Sequence, residues 1–130
     1  MGIDFKKLDQ RRARLKMTKT VVAKRARVSL PTVNRILSGK ERNPSTANLF
    51  AIARALGVTV RIGATAGIDE PESADEFRLV EARRKANDLV GMVQGTMALE
   101  SQGVDSRTLE RMRDSTAHEL LKSNRRLWGR

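Results

Sequence analysis

The sequence predicts a mostly α-helical protein: a bundle of short helices, one short strand, then a C-terminal helical hairpin. Three observations predict it. Apolar residues recur at three- and four-residue steps over most of the chain, the period of a helix. The periodic stretches follow an Asp, Ser or Thr able to cap them, and several stop at Gly. Only one segment, "VTVRIG", alternates apolar and polar residues as a strand does. With 3 Phe, 1 Trp and no Tyr in 130 residues, any core must rest on Leu, Ile, Val and Ala.

The elements follow in order. Asp4 caps a first helix over about residues 5–16, with Phe5, Leu8 and Leu15 inward. Thr18 caps a second over about 19–26, with Val22, Ala23 and Ala26 inside. A third follows Ser29. Pro31 is tolerated there because first-turn N–H groups have no partner within the helix. Val33, Ile36 and Leu37 share one side of it, Pro31, Thr32, Asn34 and Arg35 the other, and Gly39 closes it. After the loop "KERNPS", Ser45 or Thr46 opens a fourth helix carrying Leu49, Ile52, Ala53 and Leu56, stopped by Gly57.

In "VTVRIG", Val58, Val60 and Ile62 share one face, and a lone strand needs a partner for its backbone. The simplest partner is its copy in a second chain, with the edge of a different protein as the alternative. "GATAGIDEPES" reads as a linker. Ser73 and Glu76 form a capping box for a long helix over about 74–99. Its Leu79, Ala82, Ala86, Leu89, Val93 and Met97 approximate a heptad seam. Gly91 and Gly95 lie on the opposite side, where either another backbone comes close or the helix is weak. "SQGVD" is a turn, and Asp105 or Ser106 caps a last helix with Leu109, Met112, Thr116 and Leu120 on one side. "KSNRRLWGR" reads as a basic tail holding the only Trp.

Charge divides the chain. Residues 1–67 carry 15 Lys/Arg against 3 Asp/Glu, and residues 68–130 carry 11 against 12, for a net +11. A basic half of this kind is the expected footprint of a polyanion, most commonly nucleic acid. Cysteine is absent, which excludes disulfides, thiol catalysis and thiolate metal sites. His118 has no Cys or second His to share a metal. "GATAG" lacks the Lys and Ser/Thr of a phosphate loop, and the acids at 69–76 lack the spacing of a calcium loop. No membrane span, leader or catalytic constellation is legible, so the expectation is a cytoplasmic, nucleoid-associated bacterial protein that is not an enzyme and needs no cofactor or metal.

Two short helices joined by "RVS", the second polar at its N-terminal end, fit a helix-turn-helix unit. From Leu8 to Val58 the chain resembles the Cro/lambda-repressor-like (XRE) helix-turn-helix family. The resemblance is carried by Arg11 and Arg12, "TKTVVAKRARVSLPTVNRILSG", the following "NPS", and "LFAIARALGV". "VSLPTVNRIL" is also similar to the recognition segment of lac-repressor-type regulators. The resemblance implies a lambda-repressor-like bundle whose third helix enters the major groove. It puts Leu30, Pro31 and Arg35 at base-reading positions, and Lys19 and Thr32 at positions that touch phosphate. Arg35 can pair bidentately with guanine, while Leu30 and Pro31 can pack on thymine methyls. Asn34, Lys40 and Arg42 are placed with the DNA backbone or minor groove. Two departures stand out. Arg27 occupies the turn position where the family has Gly, and Lys19 replaces a Gln.

A reader of about fifty residues gains useful specificity by dimerising on two half-sites about 34 Å apart. The expected organisation is therefore a DNA-binding domain over 1–67 ending in a dimerisation strand (58–62; Val58, Val60, Ile62), and a linker over 68–73. Residues 74–130 follow as a helical dimerisation or partner-binding region. Such small regulators with an appended helical segment resemble the antitoxins of bacterial toxin–antitoxin pairs, which repress their own operon. In that reading the partners are a palindromic operator in double-stranded DNA, a second copy, and a toxin contacted through Leu127 and Trp128, with no membrane. A stand-alone repressor and a non-specific architectural DNA protein are the alternatives.

Overall fold

The computed structural model describes residues 3–99 and 105–129, with side chains over 93–99 left aside. It divides into two units, Met1–Phe77 and Arg78–Arg130. The mostly helical fold class expected from the sequence is what it shows, with a two-stranded sheet added.

In the first unit, α1 spans Phe5–Arg14, α2 Lys19–Ala26, α3 Leu30–Leu37 and α4 Thr46–Ala55. Each begins at a side-chain cap: Asp4 accepts from the Lys6 N–H, Thr18 from Val21, Ser29 from Thr32 and Ser45 from Asn48. A cap of this kind contributes about 1 kcal/mol. The inward positions meet in one core. Leu8, Leu15, Val22, Val33, Ile36, Ile52 and Leu56 are fully buried, joined by Met17, Leu37, Leu49 and Ala53. Phe5 and Ala26 are only half-buried.

Three helix ends close by the same device. The N–H groups of Met17, Val28 and Val58 reach back to Arg12, Ala23 and Ala53 carbonyls. The residue before each turns left-handed: Lys16 at φ 59°, Arg27 at 57°, Gly57 at 70°. This is the Schellman closure, in which Gly is the unstrained choice. Gly57 is needed twice over, because a Cβ there would lie 2.5 Å from the Phe77 ring.

The expectation of a strand without a partner in its own chain is corrected. β1 (Thr59–Arg61) pairs antiparallel with β2 (Gly67–Asp69), Val60 opposite Ile68. The stretch read as linker thus supplies the second strand. Arg61 clamps the hairpin, binding Asp69 at 2.7 Å and the Thr65 carbonyl. Val58 and Val60 are buried, so of the three residues expected at a dimer interface only Ile62, 59% exposed, presents its side chain.

The helix α5 (Ala74–Leu99) begins with Ser73 accepting from the Glu76 N–H. In the second unit α6 spans Ser106–Leu121 behind the cap Asp105, and α7 spans Asn124–Trp128 behind Ser123. Of the seam expected on α5, Ala82 and Ala86 are buried, as is Val90, whereas Leu79 and Leu89 are exposed. Val93, Met97 and Gly95 lie outside the described side chains, and residues 101–104 of the expected turn lie outside the described residues. At Gly91 a Cβ would meet nothing within 4 Å among the described residues.

The basic tail is corrected as well. It folds as α7, and Leu127 and Trp128 are 4% and 6% exposed. The Lys85 ammonium donates to the Arg126 and Gly129 carbonyls, and Arg78 to Asn124 and the Leu121 carbonyl, fastening α7 to α5. Burying the indole and leucine together outweighs exposing them on a mobile end.

Candidate nucleic-acid interface

The recognition unit is α2, the turn Arg27-Val28-Ser29, and α3. One side of α3 is fixed in the core by Val33, Ile36 and Leu37. Its other side carries Pro31, Asn34 and Arg35, all exposed, with Thr32 half-buried and Leu30 38% exposed. A large apolar side chain left out in this way, beside a proline and a cation, is available to an apolar group such as a thymine methyl. Lys19 at the start of α2, and Lys40 and Arg42 after α3, are exposed too.

Along α3 the exposed polar groups are coupled. The Ser29 hydroxyl, already capping the Thr32 N–H, donates to Thr32 Oγ1 at 2.8 Å. Arg35 Nη2 donates to the same oxygen at 3.2 Å. Both acceptor sites of Thr32 are therefore used, which leaves its own hydroxyl proton for an outside acceptor. Beyond α3, Gly39 turns at φ 79°, and the Glu41 N–H returns to the Arg35 carbonyl at 3.1 Å. The Glu41 carboxylate lies 3.9 Å from Arg35 Nε, an ion pair too long to be a hydrogen bond.

Arg27 takes the left-handed backbone of a Gly position, and its N–H bonds to the Lys24 carbonyl at 3.4 Å. A non-Gly residue there costs about 1 kcal/mol.

Arg11 does a job that the sequence reading did not assign it. Its side chain is 1% exposed, and its guanidinium is met by backbone carbonyls and one carboxylate. Nε donates to the Leu56 carbonyl at 2.9 Å, Nη1 to the Glu72 carbonyl at 2.7 Å and to Glu70 at 3.4 Å, and Nη2 to the Gly57 carbonyl at 3.5 Å. The Phe77 ring lies 5.6 Å below the guanidinium, a cation–π contact. One side chain from α1 thus ties the end of α4 and the segment after β2 to the bundle. Burial pushes its pKa below the usual arginine value, opposed by attraction to Glu70. Arg12 instead straddles Asp9 and the Met17 carbonyl, both at 2.8 Å, holding the α1–α2 turn. Neither arginine belongs to the open face of α3. Among the described residues no cluster of His, Asp or Glu is placed to hold a metal ion.

A family model described as helix-turn-helix matches residues 8–62. The match covers α1 to β1 and supports the XRE-type resemblance for that stretch, a domain class of DNA-binding transcriptional regulators and not typically an enzymatic one. No curated protein and no solved structure matches the chain. No helix among the described residues is long and apolar enough to cross a membrane.

Proposed function

We propose that the protein is a dimeric, sequence-specific transcriptional repressor whose α3 reads the major groove. The observation that carries this is the two-sidedness of α3: one side immobilised in the core, the other offering Leu30, Pro31, Asn34 and Arg35 in the open. Arg35 reads a guanine, Leu30 and Pro31 pack on thymine methyls, and the Thr32 hydroxyl, Lys19, Asn34, Lys40 and Arg42 hold the DNA backbone or minor groove. The excess of cations over residues 1–67 supplies the salt-dependent part of the affinity. Replacing Arg35 with Ala tests the assignment against a set of single-base variants of a selected duplex. Discrimination falls by about 1–3 kcal/mol at one base step if Arg35 reads a base. A uniform loss across all variants makes it a phosphate contact.

A protein-binding role of the second unit, either in dimerisation or in holding a toxin, rests on a different observation. Leu89 and Met92 on α5 stand 41% and 71% exposed. Leu127 and Trp128 do not support that role, since both are buried. An antitoxin brings a second polypeptide through purification from its native host by way of residues 78–130. A stand-alone repressor elutes as its own dimer only.

A further inference from the structure

We propose that Glu41 is a specificity-determining residue that acts through Arg35, holding its guanidinium for a base and lowering its pull on phosphate. The inference rests on the DNA-reading role of α3.

Glu41 is the one acid among residues 10–67 of a segment otherwise rich in cations, and it sits next to the exposed side of α3. A carboxylate there weakens the attraction for every phosphate, so its presence calls for a compensating use. Its position supplies one. The Glu41 N–H is bonded to the Arg35 carbonyl, so the backbone that bears the carboxylate is held beside the residue it faces. Thr32 takes one Nη2 hydrogen, and the Glu41 carboxylate lies on the Nε side of the guanidinium without accepting a hydrogen bond from it. Among the described residues no hydrogen bond engages Nη1 of Arg35. The Nη1 side of the guanidinium is therefore open, and a guanidinium edge can pair with guanine O6 and N7.

The charge argument runs the same way. A phosphate attracts the guanidinium chiefly by charge, which the neighbouring carboxylate partly cancels. Guanine offers neutral acceptors and loses much less from the cancellation. Glu41 thus penalises the wrong mode of binding more than the right one, which is specificity gained by repulsion.

The test uses the full chain, a duplex selected from a random pool by the wild-type protein, and a scrambled duplex of equal composition, at one salt concentration. Glu41→Gln is expected to tighten binding to the scrambled duplex about two- to fivefold, the range of an exposed ion pair, and to leave the selected duplex nearly unchanged. In an Arg35→Ala background the same substitution is expected to lose most of that difference between duplexes. Equal tightening on both duplexes in both backgrounds reduces Glu41 to a plain surface charge and overturns the proposal, as does no change at all. If Arg35→Ala alone leaves base preference intact, the reading of α3 fails first and the proposal with it. Thermal unfolding of both variants at the wild-type temperature shows that folding is not the cause.

Discussion

Replacing Arg11 with Met keeps most of the buried stem and removes only the guanidinium, which isolates its tethering role. The two short bonds, to the Leu56 and Glu72 carbonyls at 2.9 and 2.7 Å, carry most of the loss. Hydrogen bonds to a charged donor contribute about 1.5–3 kcal/mol each, so the pair is worth about 3–6 kcal/mol. The contact with Phe77 adds about 1 kcal/mol. Those values are already net of taking the groups out of water. Glu70 softens the loss, because it is 37% exposed and retains Arg14 at 3.1 Å. The expected destabilisation is about 3–5 kcal/mol, the range for breaking a buried charged pair. For a unit of this size that lowers Tm by about 12–40 °C. Far-ultraviolet circular dichroism of the full chain under heating and urea measures it. Arg11→Lys keeps the charge but not the fork, and is expected to fall between wild type and Met. A Met variant that unfolds within a degree or two of wild type would refute the tether.

Other outcomes follow from single positions. Arg27→Gly relieves the left-handed strain at φ 57° and is expected to stabilise the protein by about 0.5–1 kcal/mol, read as a rise in urea midpoint at unchanged m. Gly57→Ala meets both a φ of 70° and the Phe77 ring. It is expected to destabilise by about 2 kcal/mol or more in the same assay. The Asp105 carboxyl accepts from the Thr108 N–H, which holds its pKa below the ordinary aspartate value. A depressed native pKa contributes stability above the unfolded value and loses it as pH falls through the native one. Asp105→Asn is therefore expected to flatten the acid limb of unfolding monitored on α6. Trp128 is 6% exposed, so native fluorescence is expected at short wavelength and shifts red on unfolding. An emission already at the solvent value in native buffer would contradict its burial.

Much of the helical frame was legible because it is written in local chemistry. Caps at Asp4, Thr18, Ser29 and Ser45 stand where a short polar side chain precedes a periodic run, and the structure uses each of them. Arg27 could be singled out only through the resemblance, which puts a glycine at that turn, and the structure shows it left-handed. What stayed hidden depends on contacts far apart in sequence. β2 is three residues beginning with Gly, too short for alternation to appear, and it exists because Val60 and Arg61 meet Ile68 and Asp69 across a tight hairpin. Arg11 looks like any surface cation on a basic helix; the carbonyls that bury it come from 45 and 61 residues away. α7 was hidden by its charges, because "NRR" reads as tail until Leu127 and Trp128 are seen beneath it. The polar side of α3 was legible as a surface, but its coupling through Thr32 to Glu41 was not. It depends on a turn at Gly39 that brings a loop residue back beside the helix.

The central claim is that α3 reads sequence, and competition binding tests it most directly. Wild-type protein is bound to its selected duplex and challenged with scrambled duplex at fixed salt. The account predicts a preference of about a thousandfold or more for the selected site, and equal affinity for the two duplexes would contradict it.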